Sequence, residues 1–484
     1  FTQYTAERME FEDAYEIDRT AKFIHHRSFS RVALQFPDEL LKDSTKVVSA
    51  IRSKLQSLCD GNEREVRLFV MADATYGSCC VDEVGAAHMN ADCVVHYGNT
   101  CLSLTSGVPA LFIFRKEMID VSACAKFITN YTSSIAKDVL ILYGLEFAHA
   151  IPCVREFVAT SVDKCAQLSN SHILFANVMN SVIEANNDHK KLEPVPETDI
   201  SIVSQYENET STRYEAGGLF WKLPFAKKMS EYVVLWIGAN DSAFQNVFLR
   251  FNSSDIARYD VKKNCLVADV SEHKKLLNRR YYLVEKARDA NIVGILVGTL
   301  GVAGYLSLIH RMKSLISGAG KKSYTFVIGR PNPAKLANFP ECDVFIYVSC
   351  PQTALLNSKD YYAPVITPYE ATIAFSRGVQ WSGGYVTELQ DLAISSKSMK
   401  GSLEEARFSL IEGRYMEDSC LEEEKLEVAV TAADGLRLSA RSGADYMHLR
   451  SYRGLEANES ASHPQPYVFG KSGKASGYHH EIHP

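Results

Sequence analysis

The sequence predicts an α/β protein of three similar domains, each a small parallel sheet flanked by helices. Three observations carry that prediction. Short continuous runs of Val, Ile, Leu and Phe alternate with helix-patterned segments, the signature of parallel strands covered on both faces. The alternation occurs three times along 484 residues, a length that accommodates two to four domains. The composition, 46% hydrophobic and 23% charged, is that of an ordinary globular chain.

Residues 15–28 read as a helical lead-in. Val32–Gln35 is a short apolar strand, followed by Pro37 and a helix from about Glu39 to Leu58. Val66–Met71 is the next strand, then a helical segment carrying Val81, Val84 and Ala87, then strands at Cys93–Tyr97 and Ala110–Phe114. Val139–Tyr143, Ile173–Ala176 and Tyr232–Ile237 are strands of a second unit, interrupted by a polar loop or insertion near 185–218. Val293–Val297, Ser323–Ile328 and Val344–Val348 belong to a third, with a helix at about Gly304–Ala319. The recurrence suggests an internal triplication in which sequence identity is no longer visible. The expected divisions are a lead-in over 1–28, first domain 29–134, second 135–285, third 286–400 and a C-terminal extension over 401–484. The extension carries an acidic run at 417–426, and a Gly, Ser, His and Pro-rich tail reads as mobile from about 457.

Composition excludes several classes. No apolar stretch approaches the ~20 residues of a membrane span, so no membrane role is expected. The net charge of −6 gives no broad phosphate-binding surface, so no direct nucleic-acid partner is expected. Twelve cysteines are scattered rather than packed into small loops, which favours a thiol-reduced, cytoplasmic protein over a disulfide scaffold. Four N-x-Ser/Thr matches, at Asn130, Asn208, Asn252 and Asn458, are no more than chance supplies. The sequence has no G-x-S-x-G elbow and no H-E-x-x-H, so hydrolase readings have little support.

In open parallel sheets ligands bind beyond the carboxyl ends of the strands. That rule filters the cysteines. Cys79 and Cys80 follow one strand, Cys101 follows another, and Cys350 follows Val344–Val348. Cys342 precedes its strand, Cys93 starts one and Cys59 ends a helix. The selected set is Cys79 or Cys80, with Cys101 and Cys350. Three thiolates on one rim suit a soft metal or an iron–sulfur cluster, zinc being the lesser alternative and inert buried cysteines the default. Gly294–Gly304 follows a strand and opens a helix, as a phosphate loop does, but lacks both G-x-G-x-x-G and G-K-[ST]. Its glycines also suit tight packing. Asp73, Asp82 and Glu83 read first as helix caps. His96 is placed either to donate to a cluster sulfur or to satisfy a backbone partner. His479, His480 and His483 read as part of a solvated tail before they read as metal ligands.

The segments Val32-Ala-Leu-Gln-Phe-Pro-Asp-Glu-Leu-Leu, Tyr76-Gly-Ser-Cys-Cys-Val-Asp-Glu and His96-Tyr-Gly-Asn-Thr-Cys-Leu-Ser resemble the diphthamide-synthesis proteins. Asn278-Arg-Arg-Tyr-Tyr-Leu-Val-Glu-Lys-Ala, Gly294-Ile-Leu-Val-Gly-Thr-Leu-Gly-Val, Gly320-Lys-Lys-Ser-Tyr-Thr-Phe-Val-Ile-Gly-Arg and Asn332-Pro-Ala-Lys-Leu-Ala-Asn-Phe-Pro-Glu are similar to the eukaryotic second subunits among them. So are Thr367-Pro-Tyr-Glu and Arg453-Gly-Leu-Glu. The resemblance implies three α/β domains around a shared centre and a heterodimer with the family's first subunit. It implies a complex that uses S-adenosylmethionine and a [4Fe–4S] cluster to move a 3-amino-3-carboxypropyl group onto a histidine of translation elongation factor two. An electron-donor protein is implied as a further partner. Carried over by position, the cluster ligands are Cys80, Cys101 and Cys350. The family's catalytic members take one cysteine from each domain, whereas here two come from the first and none of Cys153, Cys165 and Cys265 fits the second. The resemblance therefore implies that the first subunit cleaves the methionine cofactor and that this chain helps keep the partner's cluster reduced. The alternatives are a non-catalytic scaffold and a nucleotide-binding enzyme built on Gly294–Gly304.

Overall fold

The computed structural model describes residues 10–416, apart from 59–64, 72–75, 106, 136, 163–172, 184–210, 225–226, 268–269, 377–380, 382–383, 388–391, 393–406, 412 and 414. The acidic run, the tail with its histidines, Asp73 and most of the polar insertion lie outside the described residues.

Short helices α1 (Phe11–Ala14) and α2 (Ile17–His26) lead into the first unit. Its strands and helices follow as β1 (Arg31–Gln35), α3 (Ser44–Leu58), β2 (Arg67–Met71), α4 (Glu83–His88), β3 (Cys93–Gly98) and β4 (Ala110–Phe114). The second unit comprises α5 (Val121–Ser133), β5 (Val139–Tyr143), α6 (Ile151–Val162), β6 (Ile173–Phe175), β7 (Asn177–Val178), β8 (Val182–Ile183), β9 (Ser211–Ala216), β10 (Leu219–Pro224), β11 (Val233–Ile237), α7 (Ser242–Arg250), β12 (Asp255–Asp260) and β13 (Cys265–Val267). The third comprises α8 (Val270–Arg288), β14 (Ile292–Val297), α9 (Tyr305–Gly318), β15 (Lys322–Val327), α10 (Pro333–Leu336), β16 (Val344–Val348), α11 (Pro351–Ala354), β17 (Val365–Ile366) and α12 (Pro368–Phe375).

Three parallel-dominated sheets result, in the orders β2-β1-β3-β4-β8, β13-β12-β11-β5-β6 and β15-β14-β16-β17. Only β8 and β13 run antiparallel to their neighbours in these sheets. The central strands β3, β5, β11, β14 and β16 are buried at every position, as continuous apolar runs require when helices cover both faces. Although β8 falls late in the chain, it adds to the free edge of β4 and so joins the first sheet. The first and third units share a local device. Asp92, just before β3, accepts the backbone N–H groups of Ser30 and Arg31, and Asp343, just before β16, accepts those of Asn291 and Ile292. In both units one carboxylate thus fixes where two neighbouring strands begin.

One stretch departs from expectation. The last part of the polar insertion, 211–218, is not a loop, because β9 and β10 pair as an antiparallel hairpin through Gly217 and Gly218, both at positive φ. The hairpin buries Leu219, Trp221 and Leu223 on one face, with β10 reading buried and exposed in alternation.

Candidate metal centre

The carboxyl rims of the first and third sheets meet at four cysteines. Cys79 and Cys80 lie in the loop after β2, Cys101 follows β3, and Cys350 sits between β16 and α11, as the residue that caps that helix. The four Sγ atoms all lie within 4.8 Å of one another. Individual separations are 3.3 Å for Cys79–Cys350, 3.8 Å for Cys80–Cys101 and 4.0 Å for Cys79–Cys80. Cys101 is half-buried and the other three are buried. The rim rule therefore selects residues that do come together, and Cys93 and Cys342, which it set aside, lie buried in the core, as does Cys124. Cys79 is as much part of the set as Cys80.

Adjacent side chains of an extended strand point to opposite sides, so the two neighbouring thiols need a turn to converge. The Cys80 N–H donates to Gly77 O at 3.3 Å and closes that turn. Three successive carbonyls of the loop are then held by three donors. His96 Nε2 lies 2.9 Å from Ser78 O, the Cys101 N–H donates to Cys79 O at 3.1 Å, and Gln35 Nε2 donates to Cys80 O at 2.8 Å. A carbonyl only accepts, so His96 carries its proton on Nε2. It does not reach a cysteine sulfur; of its two sequence-based roles, the backbone partner is the one observed. Burial pulls its basicity down to about 4, so it stays neutral. Asp82 accepts the Gly85 N–H and caps α4, while Glu83 accepts from Gly107. Both carboxylates thus act on the backbone.

The thiols perturb one another's acidity. Hydrogen bonding with Cys101, then Cys350, raises the Cys79 thiol well above its usual range, and Cys80 is raised by bonds to the same two. Hydrogen bonds from Cys101, then Cys79 and Cys80, pull Cys350 well below its usual range. Four soft donors in a buried pocket fit a thiophilic metal or an iron–sulfur cluster, and loading it would release the thiol protons.

The glycine-rich loop after β14 packs against this centre. A Cβ on Gly301 would lie 2.1 Å from Val81 O, one on Gly298 2.1 Å from Tyr347, and one on Gly294 2.5 Å from Phe345. The space beside the loop, bounded by Tyr76, Cys80 and Thr299, amounts to only about 10 Å³, room for one water at most. Its glycines at 294, 298 and 301 serve close packing.

A larger cavity of about 410 Å³ opens beyond the rim of the second sheet. Gln352 and Thr100, joined by a 2.6 Å bond from Gln352 Nε2 to Thr100 O, line the cavity; each lies one or two residues from a site cysteine. Glu146, after β5, and Asp241, capping α7, line it as well. Burial, reinforced by the charges of Asp241 and Glu117, pushes the Glu146 carboxyl up to about 7, and burial raises Asp241 also. Arg258 Nη1 is held by Gly238 O at 3.1 Å and by Asp260 at 3.3 Å. The sequence reading missed this cavity and missed Gln35. A lone amide at the carboxyl end of an apolar strand was the available signal for Gln35.

The comparisons with known proteins agree with this geometry. The family model for diphthamide synthesis proteins matches residues 36–386. A protein of Danio rerio named 2-(3-amino-3-carboxypropyl)histidine synthase subunit 2 is 32% identical over 96% of this chain and 91% of its own length. Proteins of the same name from Gallus gallus and Schizosaccharomyces pombe are 33% and 31% identical over 98% and 96% of the chain, and over 94% and 90% of their own lengths. Two crystal structures of Dph2 from Pyrococcus horikoshii, one with a 4Fe-4S cluster, share the fold at a TM-score of 0.53. Their identities are 16% and 17%, and they cover 77% and 76% of this chain and 93% and 92% of theirs. The chain belongs to the diphthamide synthesis protein family.

Proposed function

We propose that this chain is one subunit of the complex that transfers a 3-amino-3-carboxypropyl group from S-adenosylmethionine to a histidine of translation elongation factor two. Its four-thiol site would hold a [4Fe–4S] cluster, with Cys80, Cys101 and Cys350 as ligands and Cys79 within reach of the same centre. The cluster would supply one-electron chemistry and help keep the catalytic cluster of the companion first subunit reduced, drawing on an electron-donor protein in the cytoplasm. The observation that carries this reading is the convergence of buried thiols from two sheet rims in a chain of this family. The rim of the second sheet brings Glu146 and Asp241 rather than a thiol, which favours a supporting role over cleavage of the methionine cofactor. No helix among the described residues is long and apolar enough to cross a membrane.

A second reading, a structural zinc site, is favoured by one observation. Three of the Sγ–Sγ separations, at 3.3–4.0 Å, are close to the roughly 3.8 Å edge of a tetrahedron with Zn–S bonds of about 2.3 Å. Anaerobic reconstitution with iron and sulfide separates the readings. The iron–sulfur reading expects broad visible absorbance and a reduced-state paramagnetic signal, both lost in the Cys101→Ala/Cys350→Ala double variant. Stoichiometric zinc with no iron uptake, or a double variant that reconstitutes like the parent, would sink it. A scaffold role predicts instead that the double variant supports full activity in the heterodimer.

A further inference from the structure

The first sheet presents one polar rung to the thiol site. Along that rung Met71, Gln35, His96 and Phe112 are register partners on β2, β1, β3 and β4. The outer two are apolar, while the central two are a carboxamide and an imidazole, at 4% and 0% exposure. They sit in strands that are otherwise apolar at every buried position, Arg-Val-Ala-Leu-Gln and Cys-Val-Val-His-Tyr-Gly. The side-chain bonds of both go to backbone rather than to a thiol. Each grips the backbone that carries one.

The grip is specific in direction. Gln35 donates through Nε2 to Cys80 O at 2.8 Å and accepts through Oε1 from the Asp82 N–H at 2.9 Å. Its amide therefore spans the peptides on either side of Val81 as a neighbouring strand would. His96 donates to Ser78 O at 2.9 Å. The Cys79 carbonyl between them is left to the Cys101 N–H at 3.1 Å and the Cys101 Sγ at 3.3 Å. The rung thus fixes the peptides before Cys79 and after Cys80, and leaves the middle one to tie in the third thiol.

We propose that Gln35 and His96 are positioning residues for the thiol centre: this rung orients the tandem cysteines and so sets how firmly the centre holds its cluster and how readily that cluster accepts an electron. The inference rests on the iron–sulfur reading above. Groups that orient ligands without binding the metal commonly change metal retention by about 10- to 100-fold when removed, and hydrogen bonding around the sulfurs tunes cluster potential. Polar groups buried solely to stabilise the fold would change neither at matched stability.

The test uses the full chain with its companion subunit, reconstituted anaerobically. Gln35→Met keeps length and volume but drops both bonds. His96→Phe drops the bond to Ser78, and His96→Gln retains a donor. Iron release to a chelator, the paramagnetic signal of the reduced state and the reduction midpoint are read in each. The expected result is about tenfold faster iron release and a shifted midpoint in Gln35→Met and His96→Phe, with His96→Gln restored towards the parent. Parent-like release, signal and midpoint in both apolar variants would overturn the proposal. So would lowered thermal stability in both with unchanged spectra, which would assign the rung to folding alone. Should Gln35→Met fail to fold, the His96→Phe and His96→Gln pair decides by itself. A parent protein that takes up no iron at all would instead refute the underlying iron–sulfur reading.

Discussion

Replacing Gly301 by Ala tests how tightly the third unit holds the tandem-cysteine loop. The added methyl would stand 2.1 Å from the Val81 carbonyl oxygen, where ordinary contact begins at 3.4 Å. The obstacle is backbone, so the gap must open by moving one loop relative to the other by more than an ångström. Overpacking of this size costs about 1–3 kcal/mol. Val81 directly follows Cys80, so the same movement displaces a thiol, and a site about 1 Å too loose loses function well before the fold is lost. We expect a lower urea midpoint and less iron retained per chain after reconstitution. Gly304→Ala is the control. It has nothing within 4 Å but sits at φ +87°, so backbone strain of roughly 1–2 kcal/mol should lower stability while leaving iron retention intact. Retention and stability in Gly301→Ala within about 0.5 kcal/mol of the parent, the range of an ordinary surface change, would show that the two loops are not packed as described.

Arg280 and Glu370 are 3% and 0% exposed and meet at 3.4 Å, with Glu370 also closing the capping box of α12. Arg280→Met should cost about 3–5 kcal/mol by leaving a buried carboxylate unpaired, and adding Glu370→Leu should recover much of it; urea unfolding of the single and double variants measures both. Glu146 titrates near 7 in the fold against an ordinary value of 4.5. Its raised folded value means that the stability of the neutral form is present below about 4.5 and lost as pH rises through 7. The thermal midpoint of Glu146→Gln should therefore match the parent near pH 4 and exceed it at about pH 8; equal midpoints at both would refute the shift. Among the cysteines, Cys101→Ala should sharply reduce iron uptake while Cys93→Ala, a core residue away from the centre, should leave it unchanged, as iron and sulfide analysis would show.

Much of this was legible in the sequence because the governing rule is topological. Parallel strands buried on both faces announce themselves as continuous apolar runs, and strand direction fixes which rim a following residue reaches. Cys79, Cys80, Cys101 and Cys350 could be singled out, and Cys93 and Cys342 set aside, with no knowledge of distances. Choosing Cys80 over Cys79 was beyond spacing, since adjacent residues in a turn can face the same way, and here they do. The hairpin at 211–224 hid beside a polar stretch because a small antiparallel sheet with one face buried needs only alternate apolar residues, Leu219, Trp221 and Leu223. Gln35 was hidden for another reason. Its importance comes from lying beside His96, 61 positions later, and register between non-adjacent segments is absent from local pattern. The cavity joins Glu146 to Asp241 through the pairing of β5 with β11, equally non-local.

The distribution of thiols also says how the three units divide their work. Two loops of the first sheet and one of the third provide all four sulfurs, and the second sheet provides none among the described residues. Yet the second unit is not remote from the centre. Asn246 of α7 donates through Nδ2 to Pro351 O at 2.7 Å, beside Cys350, and Gln352 binds Thr100 O beside Cys101. The second unit therefore braces the end of the Cys350 loop from outside, while the Gln352–Thr100 bond ties that loop of the third unit to the Cys101 loop of the first. Where a cysteine of the second unit would close a three-domain centre, the tandem supplies the additional sulfur from the first unit's own loop. That leaves the rim after β5 and β11 free to carry carboxylates, which could not tolerate direct contact with a thiolate centre without like-charge repulsion. The Gln352–Thr100 bond lies at the boundary between these two chemistries. The centre and the acidic cavity therefore meet through a neutral side-chain amide and a backbone carbonyl, and β3 leads to both, carrying His96 of the rung and running into Gly98, Asn99 and Thr100 of the cavity lining.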